Sequence, residues 1–401
     1  MQNDPPATAD TLTHDVIICG AGPAGCALAL LLAERRNADE LGRIALVDAR
    51  PAGSARSAGD ARLIAISAGS RSTLARLGAW SDASVTPIER IHVSHRGHFG
   101  RTLIDRRDYA IPALGYVIAY SDLLGQLEDA CARRGFTRIA PVRVAAVTQD
   151  AACARVQLDD GRVLAARYAV RAEGGLFDDQ APRAVHRDYE QTAITATVRC
   201  ALPQAGVAWE RFTEEGPIAL LPLRQRERGQ SATAYALVWC GAPAEAARRM
   251  TEDDAAFLAE LHQAFGDRLG RFTSVGPRQA FALGLNASAQ LADGRVFAIG
   301  NAAQTLHPVA GQGMNLALRD AVSLATALGN HFDDAGACGA AYVHARRIDR
   351  RATIRITDLL PRVFASPLTP VVKARGAALA VLDIIPQTRH WLARQMMDGQ
   401  R

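Results

Sequence analysis

The sequence has almost no lysine, few aromatic residues and no uninterrupted apolar stretch of about 20 residues, and each shortage excludes a class of protein. Without such a stretch, we expect no transmembrane helix. The 46 basic residues are nearly all arginine and form no cluster interleaved with aromatic side chains, so we expect no nucleic-acid binding. The seven cysteines are scattered without a CxxC pair, which favours a reduced, cytoplasmic setting. The formal net charge of +5 still leaves an anionic membrane surface or partner open.

The N-terminal region has the pattern of a dinucleotide-binding βαβ unit. An apolar run at 14–19 predicts a buried strand, and Gly20, Gly22 and Gly25 follow it in a GxGxxG arrangement that opens an apolar helix. Gly20 would permit the tight turn, Gly22 the approach of a pyrophosphate, and Gly25 close helix packing. A second predicted strand ends at Asp48, whose carboxylate can accept hydrogen bonds from a ribose. The motif does not separate NAD from FAD.

A second glycine-rich turn lies near the other end of the chain. The apolar run 296–299 ends at Gly300, and a loop leads to Gly311, Gln312 and Gly313 before a helical pattern begins at Met314. Small residues at a helix start let backbone N–H groups approach a ligand, and the helix dipole adds partial positive charge. Such a site suits an anion or a group that becomes one, such as a reduced flavin.

The regions between these turns show mostly β patterns. Residues 142–170 predict a β-meander, and residues 185–285 predict a mostly antiparallel sheet with one helix near 252–265. We expect a helix that ends at Gly78 and has Leu63 and Ile66 on its apolar side. We also expect a helix over 121–135 with Ser121 as its N-cap.

Taken together, these motifs resemble the class A FAD-dependent aromatic monooxygenases. The sequence of residues 300–308, which is followed by Ala-Gly-Gln-Gly, is most similar to that of the ubiquinone-biosynthesis hydroxylases, and among them to the 2-polyprenyl-6-methoxyphenol hydroxylases. Further similar segments are 94–100, 188–192 and 209–222. The resemblance runs from about residue 14 to the C-terminal helices. The late motif is specific to the family, whereas the early one is not.

The resemblance implies a fold and a domain order. The fold is α/β and similar to p-hydroxybenzoate hydroxylase: a Rossmann-like FAD-binding domain with an inserted β-meander, a second domain with a mostly antiparallel sheet, and a helical C-terminus. The predicted FAD-binding domain comprises residues 1–87, 111–184 and 286–350. Substrate-side strands occupy 88–110, the substrate domain 185–285, and the C-terminal helices 351–401.

The resemblance also implies the chemistry. NADPH or NADH would reduce FAD, and O₂ would then form a flavin C4a-hydroperoxide that hydroxylates an activated aromatic ring, so no catalytic triad is expected. The ADP half of FAD would lie on the early turn, with Asp48 on the ribose and Arg62 near the pyrophosphate or ribityl chain. Pro308 would lie beside the flavin ring, and the backbone amides of Gly313, Met314 and Asn315 would face it. No protein residue is assigned as catalytic.

Two positions depart from the family pattern. Asn301 stands where most class A enzymes have aspartate, but its carbonyl oxygen can also accept a hydrogen bond. Glu173 replaces the aspartate of the middle Ala-Asp-Gly motif, and the usual Ser-x-x-Arg ending is missing from 174–183. Because that motif contacts FAD and bears on NADPH use in the family, this departure puts the handling of the electron donor in question more than FAD binding.

The other histidines and the C-terminus carry weaker signals. His92, His95 and His98 do not share a strand face, so no metal is expected. His307 is interpreted as structural, with an acid or base role as the alternative. The apolar and basic residues of 352–398 indicate core-packing helices, or alternatively a surface that binds a membrane or a protein of a quinone-synthesis complex.

Three functions follow from these patterns. The first is FAD-dependent hydroxylation of a polyprenylated phenol in ubiquinone biosynthesis. The second is hydroxylation of a smaller, soluble aromatic compound, and the third is a non-catalytic FAD-binding subunit of a quinone-synthesis complex. The oligomeric state, the ring carbon that is hydroxylated and the choice between NADPH and NADH stay open.

Overall fold

A computed structural model describes residues 12–35, 42–51, 53–54, 62–97, 101–174, 180, 183–227, 230–307 and 311–365. The strands in chain order are β1 (His14–Cys19), β2 (Ile44–Val47), β3 (Leu63–Ser67), β4 (Val85–Ile88), β5 (Arg90–His95), β6 (Arg101–Asp105), β7 (Gly115–Ala119), β8 (Thr137–Ile139), β9 (Val144–Gln149), β10 (Ala154–Leu158), β11 (Val163–Arg171), β12 (Val185–Cys200), β13 (Val207–Phe212), β14 (Pro217–Glu227), β15 (Gln230–Gly241), β16 (Phe272–Val275), β17 (Gln279–Ala287), β18 (Ala292–Asp293), β19 (Val296–Ala298) and β20 (Gln304–Thr305). The helices are α1 (Pro23–Ala33), α2 (Ala68–Arg76), α3 (Tyr120–Arg134), α4 (Pro243–Thr251), α5 (Asp254–Phe265), α6 (Gln312–Asn330) and α7 (Ala335–Ala365).

A largely parallel sheet forms the centre of the first domain, in the order β18-β19-β11-β1-β2-β8. Strand β1 is apolar and buried because both of its faces are covered, as is usual for parallel sheets. Helices α1, α3 and α6 pack on one face of the sheet. Strands β9 and β10 cover the other face. They pair antiparallel with each other, and β10 pairs with β11, which gives the predicted meander. The Rossmann-like unit and its inserted meander are therefore confirmed.

The second sheet has nine strands, and eight of them follow the order β20-β17-β12-β15-β14-β13-β5-β6. It is mostly antiparallel, as predicted, but β5 runs parallel to β13. The helix predicted near 252–265 is confirmed as α5, and α4, which precedes it, was not predicted. Helix α5 packs Phe257 and Phe265 onto one face of the sheet. The small sheet β3-β7-β4 packs against the other face, so that it lies between the two domains.

Two local predictions are wrong. Leu63 and Ile66 lie on strand β3, which pairs with β7, and the helix begins only at Ala68. Pairing with a distant strand thus overrides the apparent helical spacing. Helix α3 begins one residue earlier than predicted, so its N-cap is Ala119 and no side chain caps it; Ser121 lies within the first turn.

Helix α7 runs without interruption across residues 350 and 351, where the sequence places the boundary between the FAD-binding domain and the C-terminal helices. The domain boundaries stay a prediction. No helix among the described residues is long and apolar enough to cross a bilayer.

Candidate functional site

The early glycine turn has no space for side chains at two of its three glycines. Gly20 has a φ of +107°, and a Cβ there would lie 2.7 Å from the carbonyl oxygen of Ala172. A Cβ at Gly25 would overlap the carbonyl oxygen of Gly20. Gly22 differs, because among the described residues its Cβ would meet only the hydroxyl of Tyr120, at 4.0 Å. Gly22 is also the N-cap of α1 and provides no side-chain cap, so the first turn of the helix is suitable for an anionic ligand.

Asp48 follows β2 and lies next to this turn. Its Oδ2 accepts a hydrogen bond of 2.7 Å from the backbone N–H of Ala21, and its Oδ1 accepts one of the same length from the backbone N–H of Arg50. The Arg50 side chain pairs with the same carboxylate at 3.1 Å. A carboxylate oxygen has more than one acceptor position, so this arrangement orients Asp48 and leaves capacity for a hydroxyl donor. Sequence reasoning missed Arg50.

The late glycine turn begins α6 with a residue in the left-handed conformation. Gly311 has a φ of +59° and caps α6 without a side-chain hydrogen bond. A Cβ at Gly313 would meet no atom of the described residues within 4 Å, so they leave space open beside the first turn of the helix. Met314 follows in the same turn and packs partly against the core. The uncapped amides and the open space make this helix end suitable for an electron-rich group.

The side chain of Asn315 fixes the late turn from the inside. It is buried, its Oδ1 accepts from the backbone N–H of Ser67 at 2.8 Å, and its Nδ2 donates to the carbonyl oxygens of Ala65 and Gly311 at 3.0 and 2.9 Å. Strand β3 and the start of α6 are therefore held together by one amide. The sequence pointed to the backbone of Asn315 and gave no signal for this role of its side chain.

Gly300 brings the two turns together. It has a φ of +59°, and a Cβ there would lie 3.2 Å from the Cβ of Ala24 in α1 and 3.3 Å from the Cβ of Ala317 in α6. The starts of α1 and α6, almost 300 residues apart in the sequence, thus flank the same glycine. An extended ligand that contacts one helix start can reach the other.

Arg62 lies between the domains on two aromatic rings. Its guanidinium carbon is 4.8 Å from the ring centre of Tyr120 and 5.9 Å from that of Phe281 in β17. The hydroxyl of Tyr120 also faces the open side of Gly22. Arg62 and Tyr120 therefore border the same space as the early turn, and Tyr120 was not identified from the sequence.

Glu173 follows β11 beside Gly20, at the carboxyl end of the parallel sheet. Burial raises the pKa of its carboxyl group, against the opposing effect of the positive charges of Arg171 and Arg183. Arg183 donates a hydrogen bond of 2.7 Å to the carbonyl oxygen of Asn301, which is itself exposed. The sequence lacks the family's arginine at its usual spacing, but the chain brings Arg183 to the edge of the same site.

A buried ion network supports the loop between Gly300 and Gln304. Asp320 of α6 is fully buried and accepts hydrogen bonds from the N–H of Gly300 at 3.1 Å and from Nε2 of Gln304 at 2.7 Å. Arg346 of α7 donates to Asp320 at 2.7 Å, and Arg350 donates to Oε1 of Gln304 at 2.6 Å. Helix α7 therefore holds this loop in place. Sequence reasoning missed all of these contacts.

His307 ends the described part of the same loop. It is almost fully buried, and burial lowers its pKa to about 4. Its Nε2 lies 3.2 Å from Oε1 of Gln191, and the ring of Tyr189 packs edge-on at 5.4 Å. His307 is therefore neutral near pH 7, which fits a structural role. Pro308 lies outside the described residues.

These features fit FAD. Its pyrophosphate suits the amides at the start of α1, and its ring suits the uncapped, open start of α6, while Arg62 and Tyr120 border the space near the early turn. Both helix starts leave room where a side chain would otherwise stand, at Gly22 and Gly313.

Comparisons with known proteins agree with this geometry. A family model described as FAD binding domain matches residues 13–354. Ubiquinone hydroxylase UbiL of Rhodospirillum rubrum is 30% identical, over 98% of this chain and 93% of UbiL. The 3-demethoxyubiquinol 3-hydroxylase of Escherichia coli is also 30% identical, over 79% of this chain and 80% of that protein.

Among solved structures, p-nitrophenol 4-monooxygenase PnpA from Pseudomonas putida shares the fold, with a TM-score of 0.75 at 15% identity over 97% of this chain and 99% of that one. The fold expected from the sequence, similar to p-hydroxybenzoate hydroxylase, is confirmed. The chain therefore belongs to the FAD-dependent aromatic monooxygenases, within the family of ubiquinone-biosynthesis hydroxylases.

Proposed function

We propose that this FAD-dependent hydroxylase acts on the aromatic ring of a polyprenylated phenol in ubiquinone biosynthesis. In the overall reaction, one atom of O₂ enters a ring C–H bond to give a hydroxyl group. The other atom leaves as water, and NAD(P)H supplies two electrons. The observation that carries the proposal is the uncapped start of α6 at Gly311, in a chain whose relatives include UbiL and the demethoxyubiquinol hydroxylase.

The proposed cofactor contacts fall into two groups, one for each half of FAD. For the ADP half and the ribityl chain they are Gly20, Gly22, Gly25, Asp48, Arg62 and Glu173. For the flavin end they are Asn301, Pro308, Gly311, Gly313, Met314 and Asn315. Glu173 lies beside Gly20, where its carboxyl group, with a raised pKa, is an acceptor or donor for the cofactor's hydroxyl groups.

FAD, when bound, supplies the activation of O₂, and the protein supplies binding, orientation and exclusion of water. The backbone N–H groups at the start of α6 would stabilise negative charge on the ring of the reduced cofactor. Asn315 and the Asp320 network fix the two segments that carry these groups. Buried, neutral His307 adds no charge beside the ring.

The absorbance spectrum of the purified protein tests the proposal. We expect a flavin spectrum that bleaches under anaerobic NADPH or NADH, and faster when a prenylated phenol is present than when a small soluble phenol is present. Equal stimulation by the small phenol would favour the second function considered from the sequence. A flavin that neither nucleotide bleaches, with or without the phenol, would contradict the proposal.

We also propose that the protein works in the cytoplasm and docks on the inner face of the membrane, where an apolar substrate would reside. One face of α7 exposes Ile348 and Leu359 beside Arg347, Arg351 and Arg355. Apolar side chains surrounded by arginine suit an anionic lipid surface. Sedimentation with phosphatidylglycerol vesicles should fall when Ile348 and Arg351 are both replaced by Ser, and unchanged sedimentation would contradict this docking.

A further inference from the structure

A cluster of arginines lies on the substrate sheet, away from the site described above. In β5, Ser94 pairs with Arg101 of β6 on one side and with Arg211 of β13 on the other, so the three side chains share one face. His92 lies two residues earlier on that face and accepts a hydrogen bond from Arg268, which is in the turn after α5. We call Arg101, Arg211 and Arg268, with Ser94 and His92, the arginine cluster.

The contacts inside the cluster are among cationic and neutral groups. Nη1 of Arg268 donates to Nε2 of His92 at 2.6 Å, and Nη1 of Arg211 lies 3.4 Å from the hydroxyl of Ser94. Nε of Arg211 is buried and has no hydrogen-bond partner in the described structure. Burial and the charges of Arg268, Arg101 and Arg211 lower the pKa of His92 to about 4, so the imidazole stays a neutral acceptor.

None of the three arginines forms an ion pair with a carboxylate of the described residues. The nearby carboxylate of Asp267 pairs instead with His262, at 3.1 Å. Arginines elsewhere behave differently: Arg248 binds Glu245 and Glu260, and Arg346 binds Asp320. Three guanidiniums without counter-charges repel each other, and this cost is removed when an anion binds between them.

The cluster is separated from the proposed FAD site by the sheet itself. Trp209, the neighbour of Arg211 two residues earlier, packs on His92 at 4.7 Å and on Phe265 of α5, so this face is the one covered by helices. The alternate residues Ile91 and Ala208 face the small sheet that carries Ala65. A ligand on the cluster therefore does not touch the cofactor.

We propose that the arginine cluster is a binding site for a phosphate group, with Arg101, Arg211 and Arg268 as the cationic ligands and Ser94 as a hydroxyl donor. Guanidinium groups match the geometry of phosphate oxygens and can donate two parallel hydrogen bonds to them. The phosphate group can belong to a soluble metabolite or to a lipid headgroup. The site is distinct from both the pyrophosphate turn and the α7 face.

Calorimetric titration of the FAD-loaded protein with inorganic pyrophosphate, at low ionic strength, tests the site while the cofactor occupies the early turn. We expect saturable binding that weakens about tenfold or more in Arg211→Gln and in Arg268→Gln, because each loses a charge-assisted hydrogen bond. Arg268 is exposed, so its variant should fold even if Arg211→Gln does not. Arg162→Gln, which removes one positive charge from the distant β10–β11 turn, is the matched control and should bind as the unmodified protein does.

Vesicles then identify the source of the phosphate. If Arg268→Gln reduces both pyrophosphate binding and sedimentation with phosphatidylglycerol vesicles, the ligand is a lipid headgroup. If Arg268→Gln reduces pyrophosphate binding alone, the ligand is a soluble metabolite. Absence of binding to the unmodified protein, or equal binding by Arg268→Gln and Arg162→Gln, would overturn the proposal. Neither result depends on which phenol the enzyme hydroxylates.

Discussion

The two glycine turns prepare similar helix ends by different means. The turn before α1 is held by close backbone packing, since Gly25 packs on Gly20 and Gly20 packs on the backbone of Ala172 after β11. The turn before α6 is held by side chains from elsewhere: Asn315 ties it to β3, and Asp320 ties the neighbouring loop to α7. The spacing that identifies the first turn therefore lies within six neighbouring residues, with backbone support from Ala172, whereas the second turn depends on side chains from several distant elements.

This difference predicts how each turn fails. A change in the first turn should produce a steric failure of the fold itself, whereas a change in the supports of the second should loosen a cofactor site in a protein that still folds. The following variants separate the two cases, in order of decreasing expected effect.

Gly25→Ala should have the largest effect. Its Cβ would overlap the carbonyl oxygen of Gly20, a backbone atom that cannot move away without opening the turn. We expect little soluble protein and no bound flavin, measured by expression yield and by the absorbance spectrum. Gly42→Ala, whose Cβ would meet no described atom within 4 Å, should express normally. A well-folded Gly25→Ala protein with bound flavin would show that the first turn is not held by its backbone packing.

Asp320→Asn should come next. It removes the charge that accepts from Nε of buried Arg346 and leaves Asp349 as the remaining carboxylate partner of that guanidinium, a loss of about 2–3 kcal/mol in the free energy of unfolding. Urea unfolding measures the change. The same substitution at Asp333, which pairs with Arg167 at the surface, should cost about 0–1 kcal/mol. Equal losses in the two variants would mean that the network is not needed to hold the loop.

The pH dependence of the free energy of unfolding should show the effect of burying His307 in its neutral form. Its pKa is about 4 in the folded protein, against an ordinary value of 6.5, so the unfolded chain binds a proton first as the pH falls. The stability that this residue contributes is complete above pH 6.5 and is lost between there and about pH 4. We expect the contribution to fall by about 2 kcal/mol from pH 7 to pH 5. In His307→Gln, the urea-unfolding free energy should fall less over the same interval, and an identical slope would contradict this.

Gly313→Ala should have the smallest effect on the fold. Its Cβ meets no atom of the described part of the chain within 4 Å, so the melting temperature of the cofactor-free protein should stay the same or rise slightly. If the flavin ring lies in that space, the added methyl group would push it away from one backbone amide. FAD affinity should then weaken about tenfold, because that contact to an electron-rich group is lost. Fluorescence titration with FAD measures it. Unchanged affinity would show that the ring does not lie at the start of α6.

The sequence predicted what is local and missed what is distant. The first strand, the glycine turn and the second strand that ends before Asp48 were predicted correctly because their spacing alone determines a βαβ unit. Leu63 and Ile66 were assigned to a helix because their pairing partner, β7, lies about 50 residues further on. Arg183 and Asp320 were missed for the same reason: nothing in their own neighbourhood indicates Asn301 or Arg346 as a partner.

The meander and the nucleotide-binding sheet have one strand in common. The first half of β11 pairs with β10, and its remaining length lies between β1 and β19 before the chain reaches Glu173. Excising residues 144–158 would strip a neighbour from the middle of the molecule, so a shortened version of the protein is not a sound engineering goal. The exposed bend at Asp159–Gly161 sits at the far end of that strand, which makes it a good place to graft a reporter peptide without disturbing the flavin.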